Sequence, residues 1–145
     1  MKGEWCYFKN RFSPEECQRI LDQGLKLPVQ DAKIGVDGKM VVSETRRSKI
    51  RFIQKDDPNF EWLFDALWKM AIQANDEWFG FNITKITYLQ LAEYDETYQG
   101  EYKRHHDIFW MNNDPDYHRK LTCVIQLSDP TTYDGGDFEL YDISQ

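Results

Sequence analysis

Apolar residues in the first half of the chain recur at helical spacing in two segments. Ser13-Pro14-Glu15-Glu16 combines a capping box with proline at the first helical position, which predicts a short helix that ends near Gly24. Residues 58–75 carry a longer apolar stripe at three- and four-residue steps, which is typical of an amphipathic helix. We expect this second helix to pack against a sheet through Leu63, Leu67 and Ile72.

Alternating or β-branched apolar runs predict strands in the remainder of the chain. The runs lie at residues 5–8, 48–54, 83–94, 102–110, 121–127 and 138–141. Residues 26–46 contain Pro28, Gly35 and Gly38 and predict an irregular or hairpin stretch, whereas residues 111–119 predict a polar loop. Two or three helices followed by a run of strands predict an α+β fold, with residues 1–145 as a single domain and residues 1–80 as mainly helical support.

Composition narrows the class of protein. The chain has 18 lysine and arginine residues against 25 aspartate and glutamate residues, a net charge of −7 that argues against a nucleic-acid partner. No run is long and apolar enough to predict a membrane span, and the start lacks the apolar core of a signal peptide. Cys6, Cys17 and Cys123 match no zinc or redox spacing, so we expect reduced, mostly buried thiols and a cytoplasmic setting.

His105-His106-Asp107 is the motif with the clearest chemical potential. On a strand, residues two apart project from the same face, so His105 and Asp107 would converge while His106 points away. One imidazole and one carboxylate are two arms of a facial metal site of the kind that suits Fe(II). Taken alone, the motif is better interpreted as a solvated polar strand end.

Three ordered motifs surround this pair, and together they give the chain a family resemblance. They are YDETYQGEYKRHHD from Tyr94, RKLTCVIQLSDP from Arg119 and YDGGDFELY from Tyr133. Over residues 84–141 the chain resembles the 2-oxoglutarate- and Fe(II)-dependent dioxygenases, specifically the prolyl 4-hydroxylase-like branch that includes the PKHD-type hydroxylases; the RRSKIRFI segment is also similar. The resemblance implies a double-stranded β-helix, or jelly roll, with residues 84–145 forming its first part.

The resemblance also implies roles for individual residues. His105 and Asp107 would be metal ligands, Tyr94 and Gln126 would face 2-oxoglutarate, and the substrate entrance would contain Tyr102, His106 and Trp110. For Tyr94 the alternative is plain core packing, and for Gln126 it is an ordinary strand-face hydrogen bond. The implied cofactors are Fe(II) and 2-oxoglutarate, with ascorbate as an optional third, and the implied partner is a peptide or protein with a prolyl residue.

Part of the family pattern is missing from these residues. The family has a second metal-binding histidine on a later strand and an Arg or Lys that pairs with 2-oxoglutarate, and neither can be placed; His118 lies too close to the first pair. Three accounts stay open: a part of a longer protein, a shortened relative, or a barrel completed by another chain. We therefore expect loose Fe(II) binding and little turnover by these 145 residues alone.

Two other functions remain open beside the hydroxylase. The first is a catalytically inactive, shortened barrel that serves as a protein-binding module, which the missing histidine favours. The second is metal-assisted hydrolysis, since the same ligand types hold other divalent ions.

Overall fold

A computed structural model describes residues 3–31, 33–36, 39–42, 45–107 and 118–141. Its helices are α1 (Pro14–Gly24) and α2 (Glu61–Ala74), and α2 continues into one π-helical turn, Asn75–Phe79. Two short 3-10 turns span Glu96–Tyr98 and Pro130–Thr132. The strands are β1 (Gln30–Asp31), β2 (Lys33–Val36), β3 (Lys39–Val42), β4 (Arg46–Arg47), β5 (Lys49–Ile53), β6 (Leu89–Glu93) and β7 (Glu101–Tyr102).

Helix α1 begins and ends where the sequence predicts. The Ser13 hydroxyl accepts a hydrogen bond from the Glu16 backbone N–H at 3.2 Å, and the Glu16 carboxylate accepts one from the Ser13 N–H at 2.8 Å. These reciprocal bonds satisfy two amide groups that a helix start leaves without a partner. At the other end of the helix, a Cβ on Gly24 would lie 2.6 Å from the Leu91 side chain, so glycine allows α1 to approach β6 closely.

The central sheet has the order β1-β5-β6, with antiparallel pairing throughout. Helix α2 covers one face of it and contributes half of the buried cluster. The buried cluster consists of Ile20, Ile53, Phe60, Leu63, Phe64, Leu67, Met70 and Leu91. The predicted amphipathic helix is therefore confirmed, and so is the burial of Leu63 and Leu67; Ile72 is only half-buried because it lies at the margin of the covered stripe.

The opposite face of the central sheet carries Phe52 and Gln90, which are direct partners in the β5–β6 register. Strand β4 pairs with β7, with Arg46 opposite Tyr102 and Arg47 opposite Glu101. Strands β2 and β3 form a separate antiparallel pair, which agrees with the hairpin alternative of the two predicted for residues 26–46. The candidate site lies on the side of this second face, opposite to α2.

Several predicted strands are absent from the described residues. Residues 5–8, 121–127 and 138–141 form no strand, and the long run at residues 83–94 is a strand only at Leu89–Glu93. Strand β7 ends at Tyr102, so the described part of the 102–110 run is mostly irregular; residues 108–110 lie outside the description. An alternating pattern specifies which face a residue would use, but a strand also needs a partner in register.

The fold class is thus confirmed at the level of mixed helix and strand. The small antiparallel sheets are compatible with part of a jelly roll, and over the described residues they do not make up a double-stranded β-helix. All three cysteines are free, but Cys6 and Cys17 are half-buried and Cys123 is exposed, which corrects the expectation of mostly buried thiols. In the portion of the chain that the structure describes, no helix is both long and apolar enough to cross a membrane.

Candidate metal centre

The side chains of His105 and Asp107 meet just beyond the end of β7. Nε2 of His105 lies 3.4 Å from Oδ1 of Asp107. Two ligand atoms at about 2.0–2.2 Å from one metal ion, at roughly a right angle, are separated by about 3 Å. The spacing of the two atoms therefore fits adjacent positions around a single ion, although the backbone that carries them is irregular and not the predicted strand.

The His105 ring is oriented by its own backbone. Its Nδ1 lies 2.7 Å from the Lys103 carbonyl oxygen, which can only accept, so Nδ1 carries the proton and donates it. In this tautomer, Nε2 is the ring nitrogen that is left to bind a metal. Histidine ligands in metal sites commonly have this second hydrogen bond, which fixes the tautomer and the ring orientation.

Tyr102 provides a flat support for the His105 ring. The two rings stack with centroids 3.6 Å apart and planes 10° from parallel. Partial burial raises the pKa of the Tyr102 phenol, so it stays protonated and neutral near neutral pH. Tyr102, expected at the substrate entrance, thus acts first as a support for the proposed ligand.

Arg46 connects this support to the central sheet. Its guanidinium lies over the Tyr102 ring at 4.7 Å and over the Tyr94 ring at 6.0 Å. Its Nε donates to the Ser48 hydroxyl at 2.8 Å, and its Nη1 donates to the Gln90 side-chain oxygen at 3.2 Å. Arg46 was not predicted as a site residue. The Arg46-Arg47-Ser48 order could have indicated it, because residues two apart in an extended segment share one face.

Arg119 approaches the pair from the other side. Its Nη1 lies 3.7 Å from the same Asp107 oxygen, and its Nη2 donates to the Tyr88 hydroxyl at 3.5 Å. Tyr88 in turn contacts Phe52 edge to face, with centroids 5.5 Å apart. This chain of contacts ties the Asp107 carboxylate to β5, and the sequence reasoning used Arg119 only as the start of a strand.

A tight turn between β6 and β7 sets the position of this group. The Gly100 N–H donates to the Asp95 carbonyl at 2.9 Å, closing residues 95–100. A Cβ on Gly100 would lie 2.7 Å from the Asp95 backbone nitrogen and 2.8 Å from the Tyr94 Cα. Only glycine fits there without moving backbone, so Gly100 holds β7 beside β4, where Arg47 and Glu101 form an ion pair at 2.7 Å.

Other predicted site residues do not join the pair. His106 and Gln126 are exposed, and no contact links Gln126 to His105 or Asp107 among the described residues. The His118 ring lies 3.0 Å from the Lys120 ammonium. Trp110 lies outside the described residues. Over the described ranges, no group of three or more His, Cys, Asp or Glu side chains is arranged to hold a metal, so the fit extends to two ligands.

Comparison with known proteins gives one family. Residues 89–145 match the family model described as the 2OG-Fe(II) oxygenase superfamily. No curated protein and no solved structure matches the chain. The match begins at β6 and includes His105, Asp107 and Arg119. It supports the superfamily part of the resemblance and a general oxygenase function, for which the family implies Fe(II) and 2-oxoglutarate.

Proposed function

We propose that this protein is an Fe(II)- and 2-oxoglutarate-dependent hydroxylase that acts on a prolyl residue of a peptide or protein. The observation that carries the proposal is the convergence of His105 Nε2 and Asp107 Oδ1 within a segment that matches the oxygenase family. An imidazole and a carboxylate two residues apart are donors of the type that Fe(II) oxygenases use.

The ligands are held by groups outside the metal site. The Lys103 carbonyl keeps the proton of His105 on Nδ1, which leaves Nε2 available to bind the metal. Tyr102 restricts the tilt of the imidazole, and Arg119 attracts and orients the Asp107 carboxylate. Bound Fe(II) would supply the activation of O2 that is coupled to oxidation of 2-oxoglutarate.

We assign Tyr94 and Gln126 to the 2-oxoglutarate pocket, Tyr94 as a hydrogen-bonding phenol. Arg46 adds a fixed positive charge next to Tyr94, and a dicarboxylate is favoured by such a charge. Tyr102, His106 and Trp110 are assigned to the substrate entrance.

Metal binding gives the direct test. Titration of the protein with Fe(II) under anaerobic conditions, or with Co(II) by absorption spectroscopy, should reveal one weak site. His105→Ala or Asp107→Ala should weaken it by more than about 100-fold, because even outer partners of metal ligands are worth about 10- to 100-fold. His106→Ala is the matched control, since this neighbouring imidazole is exposed and, among the described residues, forms no ion pair with Asp107, and its metal affinity should equal that of the wild type. An unchanged affinity in His105→Ala would contradict the proposal.

Turnover separates the hydroxylase from its alternative. With Fe(II), O2 and 2-oxoglutarate, succinate should form slowly, because the described residues supply only two ligands, and it should be lost in both ligand variants. The two-ligand set also favours the second candidate, a catalytically inactive barrel that binds a protein partner. Metal binding without any succinate, with a prolyl peptide bound equally well by wild type and His105→Ala, would favour that candidate.

A further inference from the structure

A cleft lies between the N-terminal segment and the end of α2, and its residues are distant in sequence from the metal centre. Residues 3–8 and Glu77 and Trp78 line it, and its volume is about 530 Å³. A Cβ on Gly3 would lie 3.8 Å from the Trp78 ring, so the segment and the π-helical turn are in close contact at one end of the cleft. Neither the oxygenase match nor the proposed metal site includes these residues.

Three aromatic side chains in this cleft are turned toward solvent. Trp5 is 57% exposed, Tyr7 75% and Trp78 40%. The Trp5 and Tyr7 rings stack with centroids 6.2 Å apart and planes at 24°. Large aromatic side chains grouped on a surface leave apolar area in water and commonly mark a binding site.

Two carboxylates border the same aromatic surface. Glu4 and Glu77 line the cleft, and within the described ranges neither forms an ion pair with a lysine or arginine. One Glu77 oxygen accepts a hydrogen bond from the neutral Gln73 side chain at 3.1 Å, which leaves the negative charge uncompensated. Burial and, to a smaller extent, the Glu77 charge raise the pKa of the Cys6 thiol, so the Glu77 carboxylate acts on this part of the lining.

We propose that this aromatic cleft binds a cationic side chain, lysine or arginine, of a peptide. The aliphatic stem of the side chain would lie on the indole and phenol rings, and its charge would interact with the ring faces and with Glu4 and Glu77. A net charge of −7 on the protein would attract a basic peptide from a distance. The cleft is thus complementary in charge to such a partner, and its aromatic lining offers apolar area for the aliphatic stem.

A peptide pair that differs only in charge tests the inference. The probe is a capped pentapeptide with a central lysine, and its control has norleucine at the same position, with a similar stem and no charge. Side-chain indole N–H signals are followed by NMR without iron or 2-oxoglutarate, so the outcome is independent of the proposed hydroxylase activity. The Trp5 and Trp78 signals should shift saturably with the lysine peptide, and about tenfold more weakly with norleucine. Equal binding of the two peptides would overturn the proposal.

Variants of the cleft locate the interaction. Glu77→Gln should weaken lysine-peptide binding at least about threefold at low salt, and the difference should shrink as salt screens the charge. Glu61→Gln is the matched control, because Glu61 is exposed at the opposite end of α2 and should leave the affinity unchanged. Trp5→Ala removes a ring from an irregular exposed segment and should abolish saturable binding with the thermal midpoint retained. Wild-type affinity in Trp5→Ala and Glu77→Gln would refute the assignment.

Discussion

The central sheet and residues 118–141 have similar apolar runs in sequence but very different surroundings in the fold. Ile53 and Leu91 in the central sheet are buried because β5 and β6 pair over five residues and α2 covers their face. In residues 118–141, Ile125 and Leu127 reach the core, whereas Val124 and Phe138 are exposed. The difference shows that strand pairing together with a covering helix buries an apolar run more completely than packing at the margin of the core does.

Two ion pairs give a second comparison, between the central sheet and strand β7. Arg51 is buried in β5 and binds Glu93 of β6 at 3.0 Å, with its Nε left without a hydrogen bond. Arg47 binds Glu101 across β4 and β7 at 2.7 Å, but both side chains are more than two-fifths exposed. The shorter ion pair is the more exposed to solvent, so the N–O distance alone does not show which pair contributes more to stability.

The largest effect on stability is expected from truncating a buried apolar side chain, in comparison with an exposed one. Leu67→Ala removes a side chain that is 4% exposed and should lower the free energy of unfolding by about 2–5 kcal/mol. Val124→Ala removes a side chain that is 54% exposed and should change it by less than about 0.5 kcal/mol. Urea denaturation followed by circular dichroism measures both. Equal losses of unfolding free energy would mean that Val124 is buried in solution, which would contradict the difference between the two regions.

A smaller effect is expected from the two ion pairs. Glu93→Gln should destabilise the protein by about 1–3 kcal/mol, because it leaves the buried Arg51 charge without its counter-ion. Glu101→Gln removes the partner of an exposed arginine and should cost about 0–1 kcal/mol. The same denaturation assay compares them, and added salt should reduce only the second cost. A larger cost for Glu101→Gln would show that β7 is more strongly shielded from solvent than the surface exposure indicates.

The smallest effect concerns a local motif that occurs once just after β6 and once in residues 118–141. Asp95 accepts hydrogen bonds from the hydroxyl and N–H of Thr97, and Asp129 accepts the same pair from Thr131. These bonds hold the pKa of both carboxyls below the ordinary value. A lowered folded pKa contributes stability above the unfolded pKa, and that contribution is lost as the pH falls through the folded value.

Carboxyl NMR titration measures these two pKa values directly. Thr97→Val should raise the pKa of Asp95 toward its ordinary value and leave that of Asp129 unchanged, and Thr131→Val should do the reverse. Equal behaviour of the two sites would show that a three-residue motif acts independently of the packing around it. A lowered pKa at Asp95 alone would indicate that the central sheet contributes to the motif.

Features that depend on residues close together in the chain could be predicted from the sequence. The capping box at Ser13, the stripe through Leu63 and Leu67, and the hairpin within residues 26–46 all follow from local hydrogen bonds or helical periodicity. Such interactions need little loop closure, so they are readable from short windows.

The distant residues that surround His105 and Asp107 could be identified only from the folded structure. Arg46 reaches Tyr102 because β4 pairs with β7, and Arg119 reaches Asp107 from a segment that no periodicity connects to it. Gly100 is required because a Cβ at this position would overlap the backbone of Tyr94 and Asp95. The sequence does not show that these backbone atoms lie so close. Alternation specifies the face that a residue occupies, but the partner of that face depends on pairing across many residues, which the pattern along one strand does not encode.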